Sequence, residues 1–205
     1  MAILPSIPIQ THLEELFASP VRLRIAKAVV RFPDKQFTGR ELARMTGVSH
    51  TTASREAEEL SAMGLVHIQV IGRAYVITAN RDSVLFQSVQ EWVKVEEALR
   101  AAFVRAIREP LEGACLSATI FGSYAAGTAD SDSDLDLLVV TDTPKRTLER
   151  LHDLVIHVLR RFGVRVSPRV LTPSEVRRKG SPSFVRSARD HGITVAGKTL
   201  AEVMG

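Results

Sequence analysis

Apolar and polar positions along this chain recur with two different periods, and the changes of period mark its elements. Across residues 11–31, Leu13, Leu16, Phe17, Leu23, Ala26, Val29 and Val30 return at mostly helical spacing, interrupted at Pro20 and stopped before Pro33. Phe37 to Leu60 reads as two helices around a tight turn. Thr38 can cap the first with Glu41 three positions on, Gly47 supports the turn, and Ser49 caps the second. Two β-rich runs follow, ending at Val70 and beginning at Ala74, on either side of a Gly72-Arg73 tip. From Arg81 to Arg108 there is no Pro or Gly, and Leu85, Val89, Trp92, Leu99, Phe103 and Ile107 form one apolar stripe, which predicts a long connecting helix. Trp92 in that stripe reads as a packing or dimer anchor.

The second half changes period again. An apolar run through Ile120 and Phe121 ends at Gly122, and after an acidic loop Leu135 and Leu137 to Val140 form a second apolar strand. Thr143 to Phe162 repeats Leu148, Leu151, Leu154, Val155, Val158, Leu159 and Phe162 on one helical face expected to cover the sheet. Gly163 ends that helix, and Val164 to Leu171 predicts a further strand, interrupted or placed at an edge by Pro168.

The chemistry gathers where the first of these strands ends. Gly122 lacks a Cβ, so backbone can approach an anion closely there, and Ser123 offers a hydroxyl and an N–H to phosphate oxygens. Asp134 and Asp136 stand two apart, so on an extended strand both carboxylates project from one face while Leu135 and Leu137 turn into the core. Mg²⁺ favours carboxylates combined with substrate phosphates, and these two aspartates beside a Gly-Ser turn suit that pattern. Asp130 and Asp132 read as ordinary turn residues. His152 and His157 lack the convergent spacing of metal ligands.

Residues 98 to 200, through the linked Gly122-Ser123 and Asp134-x-Asp136, resemble the DNA polymerase beta-like nucleotidyltransferase superfamily in its minimal bacterial branch. That resemblance implies Mg²⁺ at Asp134 and Asp136, both catalytic, and a nucleoside triphosphate, expected to be ATP, at Gly122 and Ser123. Residues 12 to 80 resemble the winged helix-turn-helix of bacterial transcription regulators, including the run Glu41-Leu42-Ala43 to Thr46-Gly47-Val48-Ser49. This second resemblance implies double-stranded DNA as partner, faced by His50, Thr51, Thr52, Ser54 and Arg55 of the second helix and by Arg73 at the hairpin tip, and a homodimer. The expected class is α+β: a winged helix-turn-helix over residues 1–80, a connecting helix over 81–108, and over 109–205 a nucleotidyltransferase fold with a mixed β-sheet flanked by helices.

Two positions depart from the pattern. Family members typically carry a third carboxylate on the strand after the long helix, but here that strand reads Val164-Arg165-Val166-Ser167-Pro168-Arg169-Val170, and Glu175 is the next acid. Ala126 stands where an arginine is common. The sequence therefore leaves two readings open: a DNA-binding protein that transfers a nucleoside monophosphate, or a transcriptional regulator whose nucleotidyltransferase-like domain only senses nucleotide.

Composition narrows the setting. The chain has 205 residues, 45% of them apolar, which is enough for two cores. Its single cysteine, Cys115, excludes an internal disulfide and reads as a structural thiol in a reducing compartment. No stretch approaches a membrane span and Met1 to Gln10 does not read as a signal peptide, so a soluble, cytoplasmic protein without membrane partners is expected. Residues 1–80 carry nine Lys/Arg against seven Asp/Glu, a nearly balanced count that leaves the DNA expectation resting on the motif. Across 163–198 there are eight basic residues against only Glu175 and Asp190, a cluster able to attract triphosphate or nucleic acid.

Overall fold

The computed structural model describes residues 12–205 apart from Arg73, Lys179 and Ser181, so the contact expected of Arg73 lies outside the described residues. The chain divides into two compact units, Met1–Ala98 and Leu99–Gly205.

In the first unit, Pro20 separates α1 (Leu13–Ala18) from α2 (Pro20–Arg31). Proline has no N–H to donate inside a helix but suits its first position, and Ser19 caps α2 by accepting the Arg22 N–H at 3.2 Å. A two-residue strand β1 (Phe37–Thr38) leads into α3 (Gly39–Thr46), then come α4 (His50–Ala62), β2 (Val66–Ile71) and β3 (Ala74–Ala79). The capping box at Thr38 and Glu41 forms, with the Thr38 N–H donating to Glu41 at 2.9 Å. Gly47 ends α3 in the left-handed region at φ 70, and Ser49 caps α4. The strands form an antiparallel sheet in the order β1-β3-β2. β1 is too short to show a period, which is why the sequence does not announce it.

Ile25, Val29, Phe37, Leu42, Leu60, Leu65 and Ile77 are buried in one cluster, joined by Leu85, Phe86, Val89 and Val93 from α5 (Val84–Arg108). A helix-turn-helix followed by a hairpin around such a core is a winged helix-turn-helix fold. Trp92 packs within this unit, edge-on to Phe17 at 5.1 Å and beneath the Lys27 ammonium at 4.7 Å.

The second unit is built on a four-stranded mixed sheet in the order β6-β5-β4-β7. After α5 come β4 (Ser117–Phe121), α6 (Ser123–Ala126), β5 (Leu135–Val140), α7 (Pro144–Phe162), β6 (Val166–Leu171), α8 (Pro173–Arg177), α9 (Ser183–His191), β7 (Ile193–Gly197) and α10 (Leu200–Met204). β5 runs antiparallel to β4 and parallel to β6, the long α7 making the crossover between the parallel pair. Alternation divides β5 between two cores. Leu135, Leu137 and Val139 meet α7 and Ile107, whereas Leu138 and Val140 meet Val176, Val185, Ala188 and Leu200 from α8 to α10. Pro168 sits in β6, an edge strand, as its missing donor requires.

The apolar face of α7 is narrower than its sequence suggests. Thr147, Leu151, Leu154 and Val158 are buried, while Leu148 and Leu159 remain 53% and 45% exposed. Each exposed leucine is one residue, about 100° of helical rotation, from the buried stripe. Among the described residues, no helix is long and apolar enough to cross a membrane.

Candidate functional site

β4 and β5 are in register with Phe121 opposite Asp136, which brings the end of β4 beside the start of β5. The chain then turns at Gly122 with φ 71 and ψ −148, a region essentially closed to side-chain-bearing residues. A Cβ at Gly122 would lie 2.7 Å from the Asp136 Oδ2, too close for any real contact. Gly122 is therefore required twice, by its own backbone and by the carboxylate against it. Ser123 follows as the first residue of α6, half-buried, and accepts the Thr128 N–H at 3.0 Å through its carbonyl.

The acidic loop divides into structural and open carboxylates. Asp130 accepts the Asp132 N–H at 3.2 Å and the Ser133 hydroxyl at 2.6 Å, and these bonds, that from Ser133 foremost, hold its pKa below the usual carboxylate range. Asp134 accepts from Arg165 Nε at 2.7 Å, and the same guanidinium donates to the Asp132 carbonyl at 2.8 Å. The bond to Asp134 and its charge raise the Arg165 pKa further. Asp136 is half-buried, and among the described residues nothing donates to its carboxylate.

The place of a third acid is visible in the register of β6. Ser167 pairs with Asp136, flanked by Arg165 and Arg169, so no carboxylate reaches the pair from that strand. Glu175 does not substitute: it closes a capping box on α8, accepting from the Thr172 N–H and hydroxyl at 2.7 Å each, with its pKa lowered by those bonds. Among the described residues no three His, Cys, Asp or Glu side chains gather as a metal cluster. Two carboxylates, one unpartnered, suit a Mg²⁺ ion that brings phosphate oxygens as its other ligands. His152 and His157 lie exposed on α7. The Cys115 thiol donates to the Leu111 carbonyl at 3.4 Å, and burial pushes its pKa up, which leaves it a poor nucleophile.

In the first unit α4 displays His50, Thr51 and Arg55 exposed, and Thr52 and Ser54 half-buried. Two of the five are engaged at home, Thr52 with Ser49 and Arg55 with Glu56. The Thr52 and Ser49 hydroxyls lie 2.8 Å apart, and a Cβ at Gly39 would meet Ser54 Oγ at 2.9 Å and His50 Nε2 at 3.0 Å. His50 and Ser54 line a groove of about 820 Å³ with Thr38, Gly39, Arg40, Ile71 and Tyr75. Arg55 donates to Glu56 Oε1 at 3.1 Å, while the other oxygen of Glu56, a buried residue, takes Arg22 Nε at 3.0 Å. Glu56 and Arg165 carry no sequence signal for these pairings, because their partners Arg22 and Asp134 lie 34 and 31 positions away.

A Gly-Ser turn set against an Asp-x-Asp strand in a mixed sheet covered by helices defines a nucleotidyltransferase fold. Residues 102–195 match the Nucleotidyltransferase domain family, and the chain belongs to that family. Its members generally use a nucleoside triphosphate and a divalent metal ion. Two proteins of Methanocaldococcus jannaschii, each named "Putative protein adenylyltransferase", are similar to it. MJ1305 is 36% identical over 78 residues, covering 36% of this chain and 53% of that protein, so this chain spans about half of its length. MJ0604 is 30% identical over 97 residues, covering 47% of this chain and 94% of that one. Among solved structures, the homodimeric winged helix-turn-helix DNA-binding domain of Mb0332 from Mycobacterium bovis is 19% identical, covering 43% of this chain and 74% of that one, at a TM-score of 0.32.

Proposed function

We propose that the second unit binds a nucleoside triphosphate with Mg²⁺, ATP being the expected nucleotide, and transfers the nucleoside monophosphate to an acceptor hydroxyl. The observation that carries this reading is the unpartnered Asp136 carboxylate lying against Gly122, where only a bare backbone fits. Gly122 lets phosphate oxygens approach the main chain, and Ser123 supplies an N–H and a hydroxyl to hold them. Asp134 and Asp136 would hold the ion, Asp134 exchanging its bond to Arg165 for it. A Mg²⁺ ion held by these two residues would supply charge neutralisation for the triphosphate and orientation of the α-phosphate for in-line displacement. In the transfer, the acceptor oxygen bonds to the α-phosphorus, the bond to the β-phosphate oxygen breaks, and pyrophosphate leaves. With Ser167 where a third carboxylate is typical, the acceptor proton passes to solvent, and lack of a general base costs about 10²- to 10⁴-fold in rate. The names of the two relatives favour a protein side chain as acceptor.

The first unit would bind double-stranded DNA through His50, Thr51, Thr52, Ser54 and Arg55 of α4 and through Arg73, as a homodimer on paired half-sites. The slow chemistry expected beside Ser167 supports a second reading, a transcriptional regulator whose second unit senses nucleotide without transferring it. Incubation with α-labelled ATP, Mg²⁺ and a cell extract separates them. Label moved to protein by the parent chain and not by Asp136→Asn supports transfer; nucleotide binding without transfer supports the sensor.

A further inference from the structure

We propose that Arg169 binds the phosphate tail of the nucleotide, taking the β6 face from which the third carboxylate is missing. This rests on the nucleotide-binding reading above. Of the basic residues between 163 and 198, several are committed elsewhere. Arg177 donates twice to the Val203 carbonyl at 2.9 and 2.7 Å, Arg189 donates to Asp190 at 2.8 Å, and Arg165 holds Asp134. Arg169 differs. Its guanidinium lies 4.9 Å over the Phe184 ring, Phe184 in turn stacks on Phe121 at 5.8 Å, and among the described residues it donates no hydrogen bond. Stacking fixes the plane of an arginine while leaving its five N–H donors available.

The position suits phosphate as well as the chemistry. Ser167 pairs with Asp136 and Arg169 with Leu138, so Arg169 shares a sheet face with Asp136 and sits about 7 Å along the strand from Ser167, within reach of an arginine side chain. Phe121, at the base of the stack, is itself opposite Asp136 across β4 and β5. The stack Arg169-Phe184-Phe121 thus runs from a cation with unspent donors to the residue just before Gly122. A guanidinium that takes the β- or γ-phosphate distinguishes a triphosphate from a monophosphate, which has neither.

Calorimetric titration of the full chain with ATP and with AMP, both with Mg²⁺, tests the assignment. Arg169→Ala is expected to weaken ATP about 10- to 100-fold and leave AMP within about twofold, with Arg169→Lys recovering part of the loss. Phe184→Leu, which keeps an apolar contact but removes the stack, should weaken ATP in the same direction. ATP binding unchanged in Arg169→Ala, or equal losses for ATP and AMP, would overturn the role of Arg169 while leaving nucleotide binding intact. A parent chain that binds neither nucleotide overturns the nucleotide reading itself, and this assignment with it.

Discussion

The two units differ in how their candidate contact residues are engaged. On α4 of the winged unit, Thr52 is engaged with Ser49 and Arg55 with Glu56, while Ser54 and His50 lie against Gly39 without a side-chain hydrogen bond among the described residues. Around Gly122 in the nucleotidyltransferase unit, Asp136 accepts nothing among the described residues, and Arg169 spends only the face of its guanidinium, on Phe184. A carboxylate without a protein donor keeps its acceptor sites open to a cation or to donors of a ligand, whereas a side chain already paired must first give up its partner. The difference marks where a ligand finds open sites and where, at Thr52 and Arg55, a partner must compete with contacts already made.

The strongest test of that contrast is Asp136→Asn. If the open carboxylate serves transfer, its loss removes several kcal/mol of charge stabilisation, on the order of 10²- to 10³-fold in the rate of label transfer. An unaffected rate would remove Asp136 from the chemistry. Next is a pair of glycine substitutions. Gly122→Ala meets both a backbone penalty of roughly 1–3 kcal/mol and the Asp136 oxygen, so thermal melting should fall and ATP titration should show no binding. Gly127→Ala has a similar φ of 70 but open space around it, so it should cost roughly 1–2 kcal/mol of stability and keep nucleotide binding. Equal effects on ATP from the two would mean that the Gly122–Asp136 contact has no part in the site.

On the winged side, Glu56→Gln breaks a buried ion pair with Arg22 and should destabilise the first unit by roughly 1.5–3 kcal/mol in denaturant melts. Arg55→Ala should leave stability nearly unchanged yet weaken duplex DNA binding by about 1–3 kcal/mol, read by titration at two salt concentrations. Retained affinity would move the DNA contact off α4. The smallest effect concerns Glu41, whose pKa is lowered chiefly by the hydrogen bond from the Thr38 N–H. A carboxylate with a depressed folded pKa stabilises above its unfolded pKa, and that contribution is lost as pH falls through the folded value. NMR titration of the full chain should find Glu41 below the ordinary glutamate range, with Glu41→Gln removing this limb of the acid dependence.

Caps and strands were legible because their causes are local. Thr38 with Glu41, Ser49 with Thr52, and Gly163 at the end of α7 each act within a few residues, so type and spacing suffice. Alternation in the apolar strand made Asp136 legible, at the start of β5 opposite Phe121 and against Gly122, whereas Asp134 lies just before that strand and meets Arg165. Leu148 and Leu159 were misplaced because a helical stripe read from sequence has no sharp edge, and only the packed sheet shows which flank is covered.

The chain alone thus determined that there are two kinds of element order, a capped helix-turn-helix with a hairpin and a nucleotide-type turn before paired aspartates, because short-range sterics and periodicity are written in neighbouring residues. Only the tertiary structure decided which polar groups remain available. Arg165 meets Asp134, Arg22 meets Glu56, and Ser167 stands opposite Asp136, because strand register and helix packing bring together residues that no local rule connects.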